Sequence, residues 1–360
     1  MVKTRKRKEH PVITKFKYML ATNPDEMKSM NTMMSSLQKR TTLNTFFSNI
    51  NDVLSKAPEF NKTLLVGTPL SEILIWSMSS PGGFDAYKRN KINDMFREIL
   101  IEYKKFLDSP ASRYVLNDSE SGWFGKEASK KINMNEFQCD PTKPYYGFTS
   151  WNDFFTRKLK PGVRPIEPTN DAFIHAACDS TLFRIHTSIK SEDTFWIKSQ
   201  PYSLCEMLGD KKYIDLFTGG SIYQAFLNPF DYHRWHSPVN GTIEKAYVKQ
   251  GFYFSQAKVM GHDPSAQEKS LGYITHVNTR ALIYIKTSFG TICAMFVGMV
   301  EISSCNIHAN IKPGYKVKKG EELGFFAYGG STYCLLFEPT SIKFNYRKRV
   351  QMGQIIAEIK

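Results

Sequence analysis

A chain of 360 residues, 41% of them hydrophobic and 14% aromatic, has ample material for one large core or two ordinary ones, and this composition excludes disorder over long stretches. The net charge of +14 calls for an anionic partner, nucleic acid or acidic phospholipid; without paired Cys/His metal spacing or an aromatic ribonucleoprotein-type strand, lipid head groups or plain solubility rank above nucleic acid. Six scattered cysteines with no signal peptide ahead of them fit a reducing, intracellular setting, and no stretch approaches the roughly 20 apolar residues that cross a bilayer.

The chain opens on Lys3, Arg5, Lys6, Arg7 and Lys8, and residues 1–20 read as a basic, solvated, disordered tail. Residues 21–147 read as a helical N-terminal domain. Its clearest signal is Phe84, Tyr87, Ile92, Met95, Phe96, Ile99, Leu100, Tyr103 and Leu107, mostly three and four apart with charged residues opposite, a stripe for core packing with no catalytic part. Pro81-Gly82-Gly83 marks the loop before it. From residue 148 to 360 the texture turns to short β-rich runs between glycine turns. Residues 281–287 and 291–302, joined by Ser288-Phe289-Gly290, read as a β-hairpin, with Cys293 acting as a small hydrophobe. Val317-Lys318-Lys319-Gly320-Glu321-Glu322-Leu323-Gly324 resembles the turn-and-strand layout of biotinyl and lipoyl hammerhead domains, without the Met-Lys pair that carries their cofactor. The fold class is α+β: a helical domain followed by a β-rich catalytic domain with a hammerhead-like strand layout.

Further on, an apolar run breaks on two glycines followed by two hydroxyl residues, Gly329-Gly330-Ser331-Thr332. A serine hydroxyl can attack the carbonyl carbon of the residue before it and turn the amide into an ester where glycine lets the backbone bend. Loss of the α-proton of Ser331 then expels the Gly330 carboxylate and leaves a dehydroalanine, which hydrolyses to a ketone-bearing pyruvoyl group. By itself such a tetrapeptide is common in turns. A second segment changes its meaning: Phe226-Leu227-Asn228-Pro229-Phe230-Asp231-Tyr232-His233-Arg234-Trp235-His236-Ser237-Pro238-Val239-Asn240-Gly241 resembles the Tyr-His-Arg-x-His-x-Pro signature of phosphatidylserine decarboxylases, which are self-cleaving, pyruvoyl-dependent enzymes. Further islands agree with that family in order: Trp151-Asn152-Asp153-Phe154-Phe155-Thr156-Arg157, Gly162-Val163-Arg164-Pro165-Ile166, Tyr202-Ser203-Leu204 with Leu208-Gly209, Asn278 with Arg280, and Val297-Gly298.

The resemblance implies roles. His236 is the base that takes the Ser331 proton, since a free hydroxyl is a poor nucleophile at neutral pH, and Asp179 orients it as a carboxylate orients a catalytic imidazole. Around Asp179 the family's Pro is missing and Ser180 stands where Gly is usual. His233 is a proton donor in decarboxylation; Arg234 either binds a carboxylate or phosphate or forms a structural ion pair. On a strand His236 and Arg234 share a face and His233 points the other way, although Pro229 and Pro238 interrupt a regular strand. Cleavage between Gly330 and Ser331 leaves chains 1–330 and 331–360, the second headed by a ketone that holds an amino acid as an imine and draws off the electrons freed with carbon dioxide. Neither a metal nor pyridoxal phosphate is required.

Two substrates stay open, the serine head group of phosphatidylserine and an aromatic amino acid such as tryptophan. Gly122-Trp123-Phe124 and Pro144-Tyr145-Tyr146-Gly147-Phe148 resemble a soluble branch of the family that includes fungal tryptophan decarboxylases. The expected setting is cytoplasmic, with membrane contact peripheral where it occurs, no nucleic acid, and a homodimer as the family suggests. The competing class is a non-catalytic basic binding protein on the same fold, against which the presence of Ser331, His236 and Asp179 argues. A serine hydrolase is disfavoured because no Gly-x-Ser-x-Gly elbow surrounds Ser331.

Overall fold

The computed structural model of the protein describes residues 8–37, 41–61, 69–78, 80–166, 170–192, 202–257, 270–299, 301, 304–328 and 331–360. Six helices form an N-terminal layer: α1 (Pro11–Ala21), α2 (Pro24–Ser35), α3 (Leu43–Val53), α4 (Pro69–Met78), α5 (Pro81–Ala86) and α6 (Asn90–Leu107). Four of them begin on proline, whose fixed φ and missing N–H suit the first helical turn. Side-chain caps add to this: Thr42 Oγ1 accepts from the Thr45 amide at 3.1 Å and Ser80 Oγ from the Gly83 amide at 3.0 Å. On α6 the buried residues are Ile92, Met95, Phe96, Ile99, Leu100, Tyr103 and Leu107, as the stripe predicts from Ile92 on; Phe84 and Tyr87 belong instead to α5 and its C-cap, and Pro81-Gly82-Gly83, expected as a loop, is the first turn of that helix. Helices α2 and α5 approach closely at Gly82, where a Cβ would stand 2.7 Å from the Met33 backbone.

The expectation of a disordered tail through residue 20 is corrected here. Residues 11–21 are helix, and Val12, Ile13, Phe16 and Leu20 are buried in the core of the helical layer. Four apolar positions at helical spacing outweigh the lysines between them, which stay on the solvent side. The basic residues 3, 5, 6 and 7 lie outside the described residues. Nor does this core stop at residue 147: it runs on through Trp151, Phe154 and Phe155 to Tyr232, Phe254 and Tyr328.

Short helices α7 (Lys126–Ser129) and α8 (Trp151–Phe155) lead into the β-rich part, whose strands are β1 (Phe173–His175), β2 (Ser180–Thr187), β3 (Ser221–Leu227), β4 (Arg234–His236), β5 (Gly241–Lys249), β6 (Arg280–Thr287), β7 (Gly290–Gly298), β8 (Ser304–Ile307), β9 (Lys316–Val317), β10 (Glu322–Ala327), β11 (Ser331–Phe337), β12 (Ile342–Phe344), β13 (Arg349–Val350) and β14 (Ile355–Ile359). Helices α9 (Leu204–Leu208), α10 (Lys211–Phe217) and α11 (Leu271–Val277) sit among them. Eight strands make one antiparallel sheet in the order β13-β2-β3-β11-β7-β6-β5-β9, and two three-stranded sheets, β4-β10-β8 and β1-β14-β12, complete the fold. The expected hairpin is β6 and β7, paired from Arg280 with Val297 to Thr287 with Gly290.

Strand β11 lies inside the large sheet, paired over its whole length with β3 on one side and β7 on the other. Its side chains alternate between two cores, Tyr333, Leu335 and Phe337 in one, Cys334 and Leu336 in the other under α9 and α10. The first core is closed by the β4-β10-β8 sheet. Trp235 of β4 stacks on Phe296 of β7 at 4.3 Å, and Phe326 of β10 meets Trp235 edge-on at 5.0 Å; burial of each phenylalanine contributes about 1.5–3 kcal/mol. Gly324 lets β10 lie this close, because a Cβ there would stand 2.1 Å from the Asn306 carbonyl oxygen and 2.9 Å from the Trp235 ring.

Candidate active site

The site is built where β10 ends and β11 begins. Tyr328 leaves β10 with a left-handed φ of 44°, and Ser331 enters β11 opposite Leu227 of β3 and Gly298 of β7. By strand alternation Ser331 shares a face with Tyr333, the face toward β4 and β10. Ser331 is fully buried, and its Oγ has no hydrogen-bond partner among the described residues. Burying a hydroxyl in this way costs about 1–3 kcal/mol, so the exception needs a cause. Gly329 and Gly330 lie outside the described residues.

The segment 231–236 is positioned from both ends. Asp231 is buried, ion-paired to Arg349, and its Oδ2 accepts from the Asn228 amide at 2.7 Å, which closes the turn after β3. Strand β4 is only three residues long and pairs antiparallel with β10, His236 opposite Glu322 and Arg234 opposite Phe325; beyond it the Phe326 amide donates to the His233 carbonyl at 3.0 Å. His233 is therefore the imidazole of the pair nearer the Ser331 end of β10.

The two histidines differ in what they can do. His233 is fully buried against Phe155, with ring centroids 4.2 Å apart. Its Nδ1 lies 2.8 Å from the Asp231 carbonyl oxygen, which can only accept, so Nδ1 carries the proton and Nε2 the lone pair. That Nε2 has no partner among the described residues. Burial, with the nearby Arg157 guanidinium adding to it, pushes the pKa down to about 3, so the ring is a neutral base. His236 Nδ1 donates to the Gly320 carbonyl at 2.7 Å, and its Nε2 accepts from the Tyr232 hydroxyl at 2.9 Å. Burial lowers its pKa as well, but both nitrogens are engaged.

Asp179 does not orient His236 through a hydrogen bond, as the family pattern led one to expect. Its carboxylate is held by Arg164, Nη2 to Oδ2 at 2.7 Å and Nε to Oδ1 at 3.2 Å, and by the Met352 amide at 2.7 Å. Arg164 also pairs with Glu136 at 2.7 Å. For a buried carboxylate a two-pronged guanidinium is a stronger partner than a neutral imidazole, and the guanidinium pKa is raised because Asp179 and Glu136 outweigh the effect of burial. Arg234 takes the structural alternative: Nη1 to Glu322 at 2.5 Å and Nε to the Thr156 carbonyl at 2.8 Å. Burial pushes Glu322 up, but Arg234 and His308 more than offset it.

Around this framework lie clefts. One of about 210 Å³ is lined by Arg164, Tyr232, His236, Glu322 and Lys158. A neighbouring one of about 560 Å³ is lined by Lys143, Arg157, Lys158 and Arg234 among others. Neither is lined by Ser331 or His233. Sequence reasoning named Ser331, His233, His236, Arg234 and Asp179 but passed over Tyr232, which covers His236, and Glu301, a buried carboxyl described below. Arg164 stood inside a quoted island without a role; its place before Pro165 gives no hint of the carboxylate it meets. Among the described residues no cluster of three His, Cys, Asp or Glu could hold a metal ion, and no helix is long and apolar enough to cross a membrane.

Residues 151–358 match the family model for phosphatidylserine decarboxylase, and residues 8–132 match a second model with that description. A decarboxylase of Amanita muscaria, iboD, is 35% identical over 322 residues, spanning 81% of this chain and 91% of that protein. The L-tryptophan decarboxylase of Psilocybe cubensis is 36% identical over 313 residues, 79% of this chain and 70% of its own. The phosphatidylserine decarboxylase proenzyme of Chlamydia pneumoniae is 38% identical over 216 residues, 59% of this chain and 68% of that protein.

Proposed function

The chain belongs to the phosphatidylserine decarboxylase family and is a carboxy-lyase, and from that premise we propose that it cuts itself between Gly330 and Ser331, converts Ser331 to a pyruvoyl group, and decarboxylates an aromatic amino acid such as tryptophan. The observation that carries this reading is the fully buried Ser331 hydroxyl with no hydrogen-bond partner among the described residues, directly after the Gly-Gly pair. A hydroxyl left uncommitted inside a sheet fits a group destined to react.

In the first step Ser331 Oγ gives up its proton and bonds to the carbonyl carbon of Gly330. The amide C–N bond breaks and the nitrogen takes a proton, leaving an ester. A base then removes the Ser331 α-proton, the Cβ–O bond breaks, and Gly330 departs as a carboxylate. Water displaces ammonia from the remaining enamine, so residue 331 ends as a ketone. His236 is proposed as the base; in that role its Nε2 exchanges the Tyr232 hydroxyl for Ser331. Asp179 supports it at a distance, by holding Arg164 and the Met352 backbone beside the His236 strand. Residues 331–360 stay in place after the cut, because β11 is hydrogen-bonded on both edges and β14 to β1.

A pyruvoyl group supplies a ketone that withdraws electrons from the substrate's α-carbon. The chain's own residues do the rest. The unpartnered Nε2 of His233 accepts a hydrogen bond from the incoming amine once it is neutral and, when protonated, is a strong acid placed to give a proton after carbon dioxide leaves. The aromatic surroundings of His233 and Tyr328 exclude water.

The choice of substrate is supported by coverage. The fungal relatives span 79–85% of this chain, helical layer included, whereas the bacterial phosphatidylserine decarboxylases span 57–59%. The net charge of +14 favours the second reading, an anionic phospholipid substrate met peripherally. Paired assays of carbon dioxide release decide between them. Turnover of tryptophan with little from phosphatidylserine vesicles is expected, and the reverse overturns the choice.

A further inference from the structure

Glu301 stands three residues beyond Gly298, and Tyr328 three residues before Ser331. The Glu301 carboxyl lies near the Tyr328 hydroxyl, whose pKa is pushed up by burial and then by that carboxyl, and Gly298 pairs with Ser331. Both residues have left-handed φ angles, 61° and 44°, rare for side chains of this size and concentrated at functional sites. Glu301 is fully buried. Its Oε1 accepts from the Leu70 amide at the start of α4 at 2.5 Å, while Oε2 makes no hydrogen bond of good geometry among the described residues, the Ser71 hydroxyl and amide of α4 lying nearby. The Tyr328 ring is walled by Trp151 at 4.8 Å, Tyr103 at 5.6 Å and Phe155 at 5.9 Å, and Phe155 in turn carries His233.

An aromatic box that includes a tyrosine three residues before the reacting serine, filled by that tyrosine and floored by a buried carboxyl, has the chemistry to hold a ring bearing an N–H. We infer that this box is the seat of the substrate's side chain, with Glu301 accepting a hydrogen bond from the ring N–H and selecting for it; the assignment rests on the aromatic amino acid reading above. Cutting the bond after Gly330 leaves Tyr328 near a free carboxyl end, tethered on one side, so its ring can give up the box to the substrate. Glu301 is then a specificity residue as well as a cap on α4. Burial pushes its pKa up to about 8, and an oxygen of the acid form still accepts a hydrogen bond.

The test compares L-tryptophan with its benzothienyl analogue, in which sulfur replaces the ring N–H at nearly the same volume. Wild-type protein, Glu301→Gln and Glu301→Ala are each first shown by intact mass to be processed. The wild type is expected to favour tryptophan in kcat/KM by about tenfold or more, because a buried acceptor left unpaired rejects the analogue. Glu301→Gln keeps an acceptor and most of the preference, whereas Glu301→Ala brings the ratio to within about threefold of one. A processed Glu301→Ala with the wild-type ratio overturns the assignment. So does wild-type protein that turns over both substrates equally, which needs no variant to fold. Wild-type turnover of phosphatidylserine vesicles and of no aromatic amino acid overturns the substrate reading itself, an outcome the ratio cannot mimic.

Discussion

At the Glu322 end of β10 the charged groups are matched. Arg234 and His308 converge on Glu322, Arg164 joins Asp179 to Glu136, and both nitrogens of His236 are engaged. At the Tyr328 end, three fully buried polar atoms, Ser331 Oγ, His233 Nε2 and Glu301 Oε2, make no hydrogen bond of good geometry among the described residues. Both ends belong to one strand in one fold, so the contrast is local. Matched groups give a site its shape, and buried groups left unmatched are poised for chemistry and weaken the fold slightly. Damage to the ion pairs of the first end should cost stability, and damage to the unmatched groups of the second activity; His236, the proposed base of self-cleavage, is the one group of the first end whose loss should stop processing.

The largest expected effect is at the second end. Asparagine at position 233 can still donate to the Asp231 carbonyl from its amide but lacks Nε2. His233→Asn is expected to lower decarboxylation by about 10²–10⁴, with processing and thermal stability near wild type. A variant that unfolds early but retains its specific activity would break the contrast.

Arg164→Met tests the matched end. It leaves the Asp179 carboxylate buried without its guanidinium, and such losses cost about 3–5 kcal/mol. Urea unfolding should show the loss as an early midpoint; an unchanged midpoint would mean the pair holds nothing together.

Glu301→Gln is the finest of the three. Burial is the main cause that pushes the native carboxyl up to about 8 from the ordinary 4.5, against the Ser71 hydroxyl and amide, which favour the charged form, with Tyr103, Tyr328 and the Glu72 carboxyl of α4 also facing it. Between those two values the native state holds more protons than the unfolded one, so stability falls as pH rises, by at most about 1.4 kcal/mol per unit. The variant lacks this contribution. Its stability relative to wild type should rise from pH 4.5 to pH 8 and then level off; parallel curves would show Glu301 ionised throughout.

How much of this was legible beforehand follows from what each signal depends on. The stripe from Ile92 to Leu107 and the β6–β7 hairpin are local periodicities that the fold keeps, whereas Phe84 and Tyr87 fall on α5, a helix begun by the Pro-Gly-Gly that reads as a loop. Ser331 and the 231–236 segment were found through covalent chemistry and motif spacing, which survive in one dimension. Helix α1 was missed because a lysine run masked apolar residues that matter only once a core is there to take them. The partner of Asp179 was misjudged for a related reason: Arg164 and His236 are both available along the chain, and three-dimensional reach with charge decides between them. Glu301 ends an apolar run and looks like a strand-end turn residue. Its burial depends on α4 arriving from far upstream, so no local pattern could reveal it.

The central claim is that Ser331 becomes the reacting group. Because residues 331–360 stay woven into the sheets, the direct measurement is the intact mass of purified protein under denaturing conditions, beside Ser331→Ala. Two chains are expected for the wild type, 1–330 and a short one headed by a keto group at position 331, and one uncut chain for the variant. A single uncut chain in folded, wild-type protein that still releases carbon dioxide from an amino acid would contradict the claim.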